Sequence, residues 1–154
     1  MSSEPRSGPS PSVGSSLSAV ERREARYLFA VSLYAEADER VTTGDLGDHL
    51  DVAAASVTEM VSKLDERGLV DYEKYRGVRL TDRGETVAAR AGWRYCVVST
   101  FFDSVLETTL DEGTAFDIGF ALPDDGVHRL RALVDSACLG LCPDAGGDGE
   151  PCGA

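Results

Sequence analysis

Residues 56–85 read SVTEMVSKLDERGLVDYEKYRGVRLTDRGE, and the spacing of apolar residues changes period twice within them. Val57, Met60, Val61 and Leu64 recur at the three- and four-residue steps of a helix with one buried stripe, so a helix is expected over about 54–67. Gly68 stands where a left-handed C-terminal cap belongs. The pattern then alternates: Leu69, Val70 and Tyr72 read as a strand, 74–77 as a turn and 78–80 as the returning strand. Thr81 caps the next helix, with Asp82 in a first turn whose dipole favours an acid. Helix, cap, hairpin and helix in this order make the second half of a winged helix-turn-helix.

The first half lies upstream. A short helix capped by Thr43 carries Leu46 and Leu50 on one side, and 51–53 make a tight connection. Before it, Ser18 and Glu21 form a capping box for a helix ending near residue 38. That helix places Val20, Tyr27, Leu28, Val31, Tyr34 and Ala35 on one face. Downstream, a long helix over about 82–107 carries Val87, Ala91, Tyr95, Val98, Phe102 and Val105 in one stripe. A stripe of that length, beyond a domain that already has a core, predicts a dimer seam built from Tyr95, Val98, Phe102, Phe116 and Phe120. Helices over 112–122 and 124–139 follow, the second burying Val127, Leu130, Leu133 and Val134.

The expected fold is mainly α: a winged helix-turn-helix DNA-binding domain followed by an α-helical dimerisation domain. Residues 1–16 are a disordered tail rich in serine, proline and glycine, 17–81 the winged helix, 82–142 the helical linker and dimerisation domain, and 143–154 a flexible cysteine-containing tail.

The 154 residues suffice for one compact domain or two small units sharing a core. Acidic side chains number 27 against 15 basic ones, a formal charge of −12, and only Lys63 and Lys74 among the basic residues are lysines. Carboxylates hold water and salt screens their repulsion, so such a surface suits a cytoplasm of molar salt. A halophilic source is the reading this favours; a mildly acidic protein of an ordinary cell is the other. A basic patch is the usual footprint of nucleic-acid binding. In high salt, however, counterion release adds little to affinity, and net charge does not exclude DNA. No apolar run approaches membrane-spanning length and the N-terminus has no apolar signal core, so a cytoplasmic protein is expected, with no membrane partner. No glycine-rich phosphate loop, nucleophile–base pair or dense cluster of histidines and acids points to an enzyme.

With SVTEM on the helix, KLDERGLV leading into the wing and YEKYRGVRLTDRGE running through it, the stretch resembles the DNA-binding domain of the diphtheria toxin repressor family, especially its manganese transport regulator branch. The likeness extends more loosely over about 17–143 and marks a divergent, haloarchaeal-type member. The resemblance implies an iron- or manganese-activated repressor that binds double-stranded operator DNA as a homodimer. Ser56, Thr58 and Glu59 then lie at the exposed start of the recognition helix, where side chains reach base edges in the major groove. Ala53, Ala54 and Ala55 allow close approach, and a methyl such as that of Ala55 can touch thymine. Thr43, Lys63, Lys74, Tyr75, Arg76 and Arg79 are candidates for phosphate contacts, which position the protein without reading sequence. Solvated surface charge is the alternative for each basic residue, and a protein-interaction module without DNA binding is the alternative for the whole.

The resemblance also implies metal ligands on the first helix, the long helix and the helix after it. Here those positions fall on Arg26 and Phe29, on Tyr95 and Ser99, and on Phe116, Gly119 and Phe120, leaving Glu112 as the one ligand type in register. Arginine, phenylalanine and glycine side chains do not coordinate a divalent ion, so the usual switch is expected to be lost. His49 and His128 are out of register and expected at the surface. Cys138, Cys142 and Cys152 offer a replacement: three thiolates can hold zinc or an iron–sulfur cluster with help from Cys96, a partner chain or a carboxylate. They can also form a thiol–disulfide switch, or be inert.

Overall fold

The computed structural model describes residues 20–34 and 39–134. The elements run α1 (Arg22–Tyr34), α2 (Thr43–Leu50), α3 (Ala54–Glu66), β1 (Val70–Glu73), β2 (Gly77–Leu80), α4 (Asp82–Ser104), α5 (Glu112–Ala121) and α6 (Asp124–Leu133). The two strands pair antiparallel, with Asp71 opposite Arg79, and Val41 adds a single bridge to Val78. Among the described residues no helix is long and apolar enough to cross a membrane.

Local chemistry starts and stops these elements. The Glu21 N–H donates to the Glu24 carboxylate at 3.1 Å at the start of α1; Ser18, the expected cap, lies outside the described residues. Thr42 caps α2 in place of Thr43: its Oγ1 accepts from the Asp45 N–H at 3.0 Å. Thr42 keeps the extended backbone that a cap requires, whereas Thr43 is already helical. Gly68 ends α3 at φ +72, with the Leu69 N–H reaching back to the Leu64 carbonyl at 3.0 Å. Thr81 Oγ1 accepts from the Gly84 N–H at 3.2 Å to open α4, and Asp111 accepts from the Thr114 N–H at 3.0 Å to open α5.

Helix α1 touches α2, β2, α4 and α5, and its residues 27–31 are at most 2% exposed. One core therefore continues from Leu46, Val57, Val61 and Leu64 through α1 to Val87, Ala91 and Phe116. The boundary expected at 81/82 is a helix cap and not a break in the core. A smaller cluster of Trp93, Val97 and Val127 joins α4 to α6. Arg94 fastens the same region, donating to the Gly119 and Leu122 carbonyls at 2.8 and 2.6 Å and pairing with Asp124.

Several expectations are corrected. Val98 and Phe116, assigned to a dimer seam, are 0% and 1% exposed within one chain. Phe116 stacks on Phe29, ring centroids 5.6 Å apart, because α5 packs back along α4 and covers the stripe that a second chain was expected to cover. Tyr95, Phe102 and Phe120 are half-buried. Tyr34 is exposed, and Leu133, expected in the core, is the last residue of a helix shorter than its pattern and is exposed as well. Val105 is half exposed because α4 stops at Ser104.

Candidate nucleic-acid interface

Helix α3 buries Val57, Met60, Val61 and Leu64 and turns Ala54, Ala55, Thr58 and Glu59 outward, with Ser56 half-buried beside them. Ala53 precedes the helix without a side-chain cap. The first N–H groups of α3 therefore stay open to an anion, and the helix dipole favours one there. Thr58 Oγ1 donates to the Ala54 carbonyl at 3.1 Å, which leaves its lone pairs outward.

The wing that follows α3 is an arginine-rich hairpin. Tyr75 sits at its tip with φ +68 and is 94% exposed, and Lys74 Nζ lies 5.3 Å from its ring centre. Arg76 reaches Glu73 at 3.2 Å and Arg79 reaches Asp71 at 3.0 Å. Behind them Arg40 donates to the Asp71 carbonyl at 2.8 Å and to its carboxylate at 2.9 Å, and pairs with Glu73 at 3.1 Å. Gly77 takes φ +115, and a Cβ there would stand 2.4 Å from the Val41 carbonyl oxygen. Only glycine lets the segment carrying Arg40 lie this close to the hairpin.

Lys63, a candidate phosphate contact, has a partner within the chain while its side chain stays 49% exposed. Its Nζ lies 2.9 Å from the Glu24 carboxylate, which is 1% exposed and also bonded by Arg67. Burial pushes the Glu24 pKa up, but the hydrogen bonds from Lys63, Arg67 and the Glu21 N–H outweigh it, and the net is below the ordinary value of 4.5. Glu24 thus ties α1 to the end of α3 as an anion.

A second cluster lies where α1, α2 and α5 meet. Arg26 donates to Glu112 Oε1 at 2.5 Å, His49 Nε2 lies 2.8 Å from the same oxygen, and the Tyr34 hydroxyl is 3.0 Å from His49 Nδ1. His49 is largely enclosed, not a surface residue. Desolvation raises the Glu112 pKa, and its bonds to His49 and Arg26 bring it below the ordinary value. The guanidinium of Arg26 also lies over the Phe116 ring at 5.3 Å. Among the described residues there is no group of three or more histidine, cysteine, aspartate or glutamate side chains placed to hold a metal ion. Cys138, Cys142 and Cys152 lie outside those residues, and Cys96 is buried.

Residues 20–78 match the model of the iron dependent repressor N-terminal DNA binding domain. Over 109 residues the chain is 33% identical to the HTH-type transcriptional regulator MntR of Shouchella clausii, covering 70% of this chain and 76% of the relative. The chain belongs to the iron-dependent repressor family. It is also 40% identical over 60 residues to MntR of Oceanobacillus iheyensis, but this match spans 39% of the chain and 41% of that relative. The structure of the manganese regulator SloR superposes with a TM-score of 0.62 at 27% identity, over 71% of this chain and 52% of SloR. The matches thus span about half, or less, of the Oceanobacillus relative and of SloR, and about three quarters of the Shouchella relative. All three relatives carry the names of regulators and not of enzymes.

Within this family fold, the sequence-derived candidates Ala55, Ser56, Thr58 and Glu59 cluster at the start of α3, and Lys74, Tyr75, Arg76 and Arg79 on the wing. Thr43 is half-buried in the first turn of α2. The residues that sequence reasoning missed are Arg40, Asp71 and Glu73. Acids at 71 and 73 of an alternating strand carried part of that signal, since Arg79 stands across the hairpin from Asp71 and Arg76 follows Glu73 by three residues.

Proposed function

We propose that this chain is a DNA-binding transcriptional repressor that acts as a homodimer on duplex operator DNA, with its DNA-binding state set without the divalent ion typical of its family. The exposed, uncapped start of α3 beside the arginine-bearing wing carries this reading. Ser56, Thr58 and Ala55 read base edges, while Arg76, Arg79 and Lys74 hold phosphates. Tyr95, Phe102 and Phe120 keep partly exposed surface for a second copy, next to the half-exposed Val105 and Leu106.

Arg76→Ala is expected to weaken binding to every duplex alike, as loss of a phosphate contact does. Ser56→Ala is expected to change the ranking of sites, with about 1–3 kcal/mol at stake per base contact. Equal effects of both variants on all sequences would contradict these roles. A gel shift against the chain's own promoter region tests the reading as a whole; no retardation at any salt favours a protein-interaction module instead.

The residues around Glu112 do not fit a divalent cation. Arg26 already supplies a positive charge to Glu112 Oε1, and His49 takes the same oxygen. Manganese is therefore expected neither to bind nor to raise DNA affinity, as read by equilibrium dialysis and gel shift. Uptake near one ion per chain that disappears in Glu112→Gln would overturn this expectation. The three C-terminal cysteines form no part of the reading.

A further inference from the structure

Asp71 and Glu73 each hold two guanidinium groups. Asp71 Oδ2 takes Arg40 and Arg79, at 2.9 and 3.0 Å, while Glu73 takes Arg40 on Oε1 at 3.1 Å and Arg76 on Oε2 at 3.2 Å. The inner and outer partners differ in access: the side chain of Arg40 is 14% exposed, those of Arg79 and Arg76 are 51% and 76%. The inner guanidinium is thus fixed, and the outer two sit in water, where an ion pair is weak and readily exchanged. Glu39, Arg40, Glu73, Arg76 and Arg79 line one open cleft at this face of the wing.

We propose that Asp71 and Glu73 are resident counterions of the wing: DNA phosphates take Arg76 and Arg79 over from them, Arg40 keeps both carboxylates in place, and the freed oxygens gather cations from solution. This rests on the reading that the chain binds duplex DNA. Each phosphate neutralised by a free basic residue releases about 0.9 of a condensed cation, which is why such binding weakens as salt rises. On this wing the cation released from DNA is balanced by one gained at Glu73 or Asp71. Arg76 and Arg79 then add contact while adding little salt dependence. Hydrogen bonds from Arg40, and from Arg79 after it, hold the Asp71 carboxyl below its ordinary range, so the charge to be balanced is present at neutral pH.

The test measures affinity of the full chain for a random-sequence duplex, which reports phosphate contact apart from base reading, over a series of salt concentrations. Glu73→Gln is expected to bind about two- to five-fold more tightly at low salt. It is also expected to steepen the fall of log affinity with log salt by about one. Glu107→Gln removes the same charge at an exposed turn outside the wing and is expected to leave the slope unchanged. Adding Arg76→Ala to Glu73→Gln is expected to cancel the increment, because the counterion acts through that arginine. Binding with one common slope for wild type, Glu73→Gln and Glu107→Gln overturns the counterion role, and so does equal steepening by the two glutamine variants. Failure of the wild-type chain to bind at every salt overturns the DNA reading, and the inference falls with it.

Discussion

Replacing Lys63 and Arg67 together by methionine is expected to lower folding stability by about 3–5 kcal/mol, because it strands a buried carboxylate without a countercharge. Glu24 is 0% exposed, and in the native chain Lys63 and Arg67 supply its cationic partners while the Glu21 N–H supplies one more bond. Urea denaturation followed across pH distinguishes this from simple loss of surface contacts. In the wild type the Glu24 pKa is depressed below 4.5. Its contribution is therefore complete above that value and is lost as pH falls through the lowered one. In the double variant burial is left almost unopposed, so the pKa should rise above the unfolded value. The sign then reverses: the variant regains stability as pH drops from neutral, and Glu24→Gln added to it restores stability at neutral pH. A loss under about 1 kcal/mol with no recovery in acid would mean that water reaches Glu24 and that the ion pairs are as weak as ordinary surface pairs.

The second large effect is expected from Gly84→Ala, a substitution that is usually mild in a helix. A Cβ at this position would stand 1.9 Å from the Leu69 carbonyl oxygen and 3.0 Å from its carbon. The obstacle is backbone, so no side chain can rotate away, and the first turn of α4 must lift off the start of the wing. The same carbonyl accepts the Thr81 N–H at 3.2 Å, and Thr81 Oγ1 donates to the Gly68 carbonyl at 2.7 Å. Overpacking of this kind costs roughly 1–3 kcal/mol and sometimes more, and the upper end is expected because two junction bonds go with it. Thermal denaturation measures the loss, and DNA affinity should fall in parallel. A variant as stable as wild type with unchanged affinity would show that α4 can begin elsewhere at no penalty.

What was legible in the sequence is what neighbouring residues decide. The stripe of Val57, Met60, Val61 and Leu64, the left-handed Gly68, the alternating hairpin and the Thr81 cap are all set within a few residues, and each stands where its spacing implied. The misreadings concern pairs far apart in the chain. Nothing local says that Lys63 belongs to Glu24, that His49 and Arg26 share Glu112, or that Arg40 braces the wing. Val98 and Phe116 failed for a related reason: an apolar stripe demands cover but does not say whether the same chain or another supplies it. On α3, sequence identified the outward-facing side chains because the stripe fixes their complement. It missed the carboxylates that hold the arginines: Arg79 lies across the hairpin from Asp71, and Arg40, which joins both acids, lies about thirty residues upstream.

The junction around Leu69 and Gly84 has a mechanical consequence. The first turn of α4 is bonded to the last turn of the helix that would face the bases, through Thr81 and Gly68 and through Arg83 to the Arg67 carbonyl at 3.3 Å. A helix of 23 residues is about 34 Å long. Anything that grips the far end of α4 therefore holds a lever arm whose pivot is the wing. A tilt of a few degrees at that grip carries the end of α3 and the start of the wing along with it, through these bonds and without rearranging a single side chain on α3.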